Sequence, residues 1–156
     1  METTYVKTPL GIAKIIGDEN GISVISISDE GEVSSNIPTI LEEAISQLND
    51  YFDGKRNDFT FKLNPLGTDF QQKVWKGLLE IPFGKTMSYL ELSKKLGDVK
   101  AIRAVASANG KNPLWIVIPC HRVIGTDGSL TGYAGGLWRK KWLLEHESPS
   151  NQHSLF

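Results

Sequence analysis

A change of hydrophobic period near residue 64 divides this chain and limits the folds open to it. Before that point, Thr4-Tyr5-Val6, Ile12-Ala13-Lys14-Ile15-Ile16 and Ile22-Ser23-Val24-Ile25-Ser26-Ile27 are short β-branched segments. Pro9-Leu10-Gly11 and Asp18-Glu19-Asn20-Gly21 separate them. β-Branched side chains suit a pleated surface, and the third segment alternates apolar with polar, so an antiparallel meander with one wet face is expected. Pro38 opens a helix with Ile40, Leu41, Ala44, Ile45 and Leu48 on one stripe, running to Tyr51-Phe52 and stopping at Asp53-Gly54. Phe59-Thr60-Phe61-Lys62-Leu63 reads as one more short strand.

Asn64-Pro65-Leu66-Gly67 is the junction, and beyond it the spacing turns helical. Thr68 is an N-cap candidate for a helix over 69–80 carrying Phe70, Val74, Leu78 and Leu79. Ile81-Pro82-Phe83-Gly84-Lys85 breaks it. A second helix over 88–96 starts at Ser88, with Glu91 three residues on as a capping box. After Gly97-Asp98-Val99, a third spans 100–109 and is built of small residues, Ala101, Ala104, Ala106, Ser107 and Ala108. Two helices joined by a short glycine-containing turn make a helix-turn-helix pattern, although any helical hairpin has this outline. The third helix has little bulk to keep its backbone from a ligand, and Arg103 is its one long cation. The expected organisation is α+β: a supporting domain over 1–63 with nothing catalytic in it, a functional domain over 64–148, and a tail over 149–156 that frays.

Charge follows the same division. Residues 1–63 hold 5 Lys+Arg against 11 Asp+Glu, a balance of −6, and residues 64–156 hold 12 against 7, a balance of +5. Only the second part could attract a polyanion; a solvated basic face is the plainer reading until those residues lie on an element that meets DNA. The single cysteine excludes an internal disulfide and fits a reducing, cytoplasmic setting. No apolar run has membrane-spanning length, Met1-Glu2-Thr3-Thr4 opens no signal peptide, and the scattered His121, His146 and His153 give no structural zinc spacing.

That cysteine lies in Ile118-Pro119-Cys120-His121-Arg122-Val123-Ile124-Gly125, after the apolar run Trp115-Ile116-Val117-Ile118, which reads as a buried strand or extended segment. A lone cysteine is usually packing material. Here His121 and Arg122 can both favour the thiolate, the form that acts as a nucleophile. If the segment is extended, Cys120 and His121 point to opposite faces, so contact needs a turn or a bridging water. A relayed base, oriented by a third group, is therefore expected. Glu147, at the end of a helix over 137–146, is either that group or a solvated helix-end carboxylate. Thr131-Gly132-Tyr133-Ala134-Gly135-Gly136 could line a pocket closely.

Over 51–147 the sequence resembles the O6-alkylguanine-DNA alkyltransferases. The resemblance is carried by Ile118-Pro119-Cys120-His121-Arg122-Val123, with Arg103-Ala104-Val105, Asn112-Pro113, Gly132-Tyr133-Ala134-Gly135-Gly136-Leu137 and Trp142-Leu143-Leu144-Glu145-His146-Glu147 around it. It implies a ribonuclease-H-like N-terminal α/β domain and a mainly helical C-terminal domain with a helix-turn-helix of winged-helix type. It also implies irreversible, stoichiometric transfer of an alkyl group from O6-alkylguanine, and O4-alkylthymine, to Cys120. In that scheme His121 activates the thiol through a water, Glu147 holds the imidazole, Tyr89 assists the departing guanine, and Asn112 ties the helix to the cysteine segment. Arg103, Ala104, Tyr89 and Arg122 would contact double-stranded DNA through the minor groove, with Arg103 filling the gap left by a flipped base. Trp115, Val123, Tyr133, Ala134 and Gly135 would line the base pocket. No cofactor or metal is implied, and the expected state is a monomer. Three departures stand out: Ala106 where many relatives have Gly, Trp115 where a small residue or Pro is common, and no cysteines for the N-terminal zinc site of some relatives. Two other readings remain: a non-enzymatic sensor of alkylated bases, which would lack Cys120, and a cysteine hydrolase, in which Cys and His usually lie far apart in sequence.

Overall fold

The computed structural model describes residues 1–130, Tyr133 and residues 135–148. The pocket candidate Ala134 and the expected frayed tail over 149–156 lie outside the described residues. The chain forms two compact units. One comprises Met1–Leu66 together with Pro113–Val117, and the other comprises Gly67–Asn112 and resumes at Ile118. The short segment 113–117 thus belongs to the first unit although it lies between two stretches of the second.

In the first unit, β1 (Glu2–Thr8), β2 (Gly11–Asp18) and β3 (Gly21–Ser28) form an antiparallel meander in the order β1-β2-β3. Thr4, Val6 and Thr8 of β1 and Ala13 and Ile15 of β2 face inward, the period-2 pattern of a sheet wet on one side. Gly21 sits at φ +127, and a Cβ there would come 2.9 Å from the Lys62 carbonyl oxygen, so only glycine fits the turn. Helix α1 (Glu42–Phe52) buries Ala44, Ile45, Leu48 and Tyr51.

Three expectations fail here. Ile40, assigned to the apolar stripe, is 42% exposed, because Thr39–Leu41 form a 3₁₀ turn whose tighter winding rotates the residue outward. Phe59–Leu63 is not a strand: Leu63 makes an isolated parallel bridge to Ile22, and the Thr60 amide donates to Gln47 Oε1 at 2.8 Å, which occupies a group a ladder would need. The apolar run before the cysteine also departs from an extended form. Leu114 bridges to Ile25, and then Ile116 turns at φ +71, a strained conformation for a β-branched residue.

In the second unit, α2 (Asp69–Leu79) and α3 (Tyr89–Lys95) both begin with reciprocal capping boxes, Thr68 with Gln71 and Ser88 with Glu91. Leu96–Asp98 and a 3₁₀ turn over Val99–Ala101 lead to α4 (Ile102–Gly110), which completes the helix-turn-helix. α2 supports α4 through the buried Trp75, whose Nε1 donates to the Ala108 carbonyl at 2.9 Å. Two residues, β4 (Met87–Ser88), pair in parallel with β5 (Val123–Ile124), in the register Met87↔Val123 and Ser88↔Ile124. Helix α5 (Leu137–His146) follows. No helix among the described residues is long and apolar enough to cross a membrane.

Candidate active site

The β4–β5 pair sets the site. β4 ends one residue before Tyr89, and β5 begins one residue after Arg122, so three bases of the structure converge: the start of α3, the cysteine turn and the strands between them. Cys120, His121 and Arg122 form one turn of 3₁₀ helix after Pro119. Such a turn removes the opposite-face geometry that an extended chain would impose. All three residues are buried, with Cys120 at 7% exposure.

His121 Nε2 and Glu147 Oε2 are 2.8 Å apart, and both side chains are buried. A carboxylate can only accept, so Nε2 carries the hydrogen and Nδ1 bears the lone pair. Nδ1 is buried with no hydrogen-bond partner among the described residues. Burial pushes the His121 pKa down, against the pull of Glu147, and Arg122 and Lys140 add to the lowering. The imidazole is therefore a neutral base near pH 7.

Arg122 was expected at the DNA surface, and the structure corrects this. Its guanidinium donates to Glu147 Oε1 from Nε at 2.7 Å, to Oε2 from Nη2 at 3.0 Å, and to the Ile81 carbonyl from Nη1 at 2.7 Å. It also lies over the Phe83 ring, 5.8 Å from the centroid. Three of its five N–H groups are spent on interior acceptors and the side chain is buried, which keeps the fork from a DNA phosphate. Burial alone would raise the Glu147 pKa, but His121 and Arg122 outweigh it and hold the carboxyl well below the usual carboxylate range. Gly84 belongs to the same assembly: at φ +80, its hypothetical Cβ would stand 3.1 Å from the Glu147 carbonyl oxygen.

Lys140 is the residue that sequence reasoning missed. It lies on the first turn of α5, fully buried, with its pKa lowered to about 8 by that burial and pulled back by the Cys120 thiolate. Burial likewise pushes the Cys120 thiol up, while Asn112, the Lys140 ammonium and Tyr133 favour the thiolate. Counting charges explains the balance: with Arg122, Lys140 and Glu147 ionised, the cluster is +1 with a thiol and neutral with a thiolate. The signal was present in the spacing. Lys140, Leu143, Leu144 and Glu147 stand at i, i+3, i+4 and i+7, one face of a helix, and all four are buried.

The remaining candidates fall in several places. Asn112 Nδ2 donates to the Ile118 carbonyl at 2.7 Å, linking the end of α4 to the residue two before the cysteine. Val123 is buried in β5. Tyr133 and Gly135 precede α5, where the Gly135 carbonyl accepts from Arg139 Nη1 at 2.8 Å. Arg103 and Ala104 are exposed on α4. Trp115 is in the first unit, its ring 6.2 Å from that of Phe52. Among the described residues, no group of three or more His, Cys, Asp or Glu side chains could hold a metal ion.

Two family models match the chain in tandem: the ribonuclease-like domain of 6-O-methylguanine DNA methyltransferase over residues 1–65, and the DNA-binding domain of the same family over residues 69–149. The chain belongs to the 6-O-methylguanine DNA methyltransferase family. A methylated-DNA–protein-cysteine methyltransferase of Methanosarcina barkeri is 45% identical over 149 residues, which covers 91% of this chain and 94% of the relative. The protein of that description from Mycobacterium tuberculosis is 54% identical over 110 residues, 70% of this chain and 67% of the relative. Among solved structures, Mycobacterium tuberculosis OGT in complex with DNA has a TM-score of 0.86 at 41% identity, covering 100% of this chain and 99% of that one.

Proposed function

We propose that this chain is a methylated-DNA–protein-cysteine methyltransferase that repairs O6-alkylguanine, and O4-alkylthymine, in double-stranded DNA. The observation that carries this reading is the buried cluster in which one thiol shares its surroundings with two cations, a carboxylate and a neutral imidazole. DNA binding is supported by the family and by the relative crystallised with DNA. Arg103 and Ala104 lie on the exposed face of a helix of small residues, which suits insertion into a minor groove and filling of the space left by an extruded base. Acting on genomic DNA implies a cytoplasmic protein, and one monomer carries every group the scheme needs.

The proton on Cys120 Sγ passes through a water to His121 Nδ1, while Glu147 holds the imidazole from its other nitrogen. The thiolate attacks the alkyl carbon in line, the S–C bond forms, and the C–O6 bond breaks with its electron pair going to guanine. Tyr89 gives a hydrogen bond to the departing base. By resemblance alone, Val123, Tyr133, Ala134, Gly135 and Trp115 are assigned to the base pocket. The product thioether has no good leaving group, and the chain supplies no second thiol, so each molecule acts once.

The test is incubation with excess O6-methylguanine duplex, followed by digestion and mass measurement of the peptide containing Cys120. One methyl per protein on Cys120 is expected. Loss of methylguanine well beyond one equivalent, or a methyl on another residue, would overturn the reading.

A further inference from the structure

Helix α4 has two working faces. Arg103, Ala104 and Ser107 are exposed, and Val105, Ala108 and Asn109 are buried. Asn109 is the anomaly on the inner face. It is 2% exposed in a helix otherwise packed with small apolar side chains, where an alanine or leucine would carry no desolvation penalty. Its Nδ2 donates to the Tyr89 hydroxyl oxygen at 3.3 Å, and its Oδ1 is buried with no partner among the described residues. The one side-chain hydrogen bond that Asn109 makes among the described residues is thus spent on the phenol, with the amide nitrogen as donor.

We infer that Asn109 is a positioning residue for Tyr89, presenting the phenol so that its proton faces the departing base. The inference rests on the role given to Tyr89 above. A hydroxyl oxygen that accepts from an amide cannot aim its own hydrogen along that line, so the O–H is turned away from α4. Accepting a hydrogen bond also polarises the phenol and makes it a stronger donor. As the C–O6 bond breaks and negative charge develops on guanine, that stronger donor meets it. Asn109 touches no reacting atom and acts only through the phenol. Because Arg103 and Asn109 share one short helix, the element that meets DNA is the element that orients the donor.

The experiment measures the first-order rate of methyl transfer within the preformed complex, at saturating O6-methylguanine duplex, separately from DNA affinity. Asn109→Leu removes the donor at similar volume, and Asn109→Asp keeps the shape but can only accept, which would turn the phenol proton toward α4. Both should slow transfer about tenfold with little change in affinity, and neither should slow further in a Tyr89→Phe background. Alkylation of Cys120 by iodoacetamide, which has no guanine to release, should proceed at the wild-type rate in both. Losses that add fully to that of Tyr89→Phe, or an equal loss with iodoacetamide, would make Asn109 a packing residue and overturn the inference. If Tyr89→Phe slows transfer and neither Asn109 variant does, the inference alone falls. If Tyr89→Phe has no effect, the reading of Tyr89 falls and the inference with it.

Discussion

In the first unit the largest fully buried side chains are Leu10, Ile15, Ile25, Leu41, Leu48, Tyr51, Leu114 and Ile116, whereas the second unit also buries His121, Arg122, Lys140 and Glu147 beside Cys120. The first interior is held by area removed from water and tolerates conservative change wherever volume is kept. The second adds to its own apolar core a pair of ions set by geometry: Arg122 and Glu147 were stripped of water and depend on partners at 2.7–3.0 Å. An apolar core stabilises a fold without favouring any chemistry. A buried ionic cluster is a poor way to gain stability, and its presence points to the thiol it surrounds.

That contrast is sharpest in a pair of substitutions. Arg122→Met strands the Glu147 carboxylate and the Ile81 carbonyl, and removing one partner from a buried ion pair costs about 3–5 kcal/mol. Leu48→Ala, in the apolar core, costs about 2–5 kcal/mol through lost transfer energy and a cavity. Stability alone does not separate them, but the rate of methyl transfer per folded molecule does. Leu48→Ala should keep the wild-type rate, and Arg122→Met should lose most of it, because Glu147 is then free to turn from His121. Urea unfolding combined with single-turnover kinetics at low denaturant checks this. Equal rates for the two variants would remove the distinction between the interiors.

The fold was legible in the sequence wherever neighbours in the chain decide the outcome. Capping boxes at Thr68 and Ser88 depend on residues three apart, and the meander depends on alternation within eight residues. Phe59–Leu63 was misread because Gln47, 13 residues away from Thr60, takes the amide that a strand would use. Arg122 was misplaced for the same reason at longer range: its partners lie 25 and 41 residues away, and an arginine beside a nucleophile in sequence looks the same whether it faces DNA or the interior. Lys140 was hidden between Arg139 and Lys141, where a cationic run suggests solvent although the helical spacing to Glu147 says otherwise.

Lys140→Met tests the cost of the ionic interior directly. The ordinary lysine pKa of 10.5 falls to about 8 in the fold, so the unfolded chain binds the proton more tightly between those values. The Lys140 contribution to stability should therefore rise as pH increases from about 8 to 10.5, against the fall that the raised Cys120 pKa adds above the ordinary thiol value, and below pH 8 the full penalty is present, about 3 kcal/mol by linkage. The variant should lack that slope and be the more stable protein at pH 7. It should also transfer methyl more slowly at pH 7, since the Cys120 thiolate loses a cation. The Glu147 slope has the same sign but lies in acid, and its contribution at pH 7 is a stabilisation: its depressed pKa gives stability that is present above the ordinary carboxylate value and is lost as pH falls below it. Melting temperature and transfer rate, each followed from pH 6 to 11, separate the two effects. A variant that is less stable than wild type at pH 7 would mean that Lys140 is matched well enough to hold the fold together.

The smallest effect on stability, and the most selective one on function, belongs to a residue outside both interiors. Arg103 is exposed on α4, so Arg103→Ala should change unfolding free energy by no more than about 0.5 kcal/mol. Its proposed work is to occupy the stack when a base leaves it, and that work exists only in duplex DNA. Repair of an O6-methylguanine duplex should therefore fall by at least tenfold, while reaction with a free O6-alkylguanine base, which needs no extrusion, should fall little. The ratio of the two rates is the measurement, because it cancels any general loss of active protein. Equal losses on duplex and free base would place Arg103 among the groups that shape the thiol's surroundings, and would blur the line between the surface that finds the lesion and the interior that removes it.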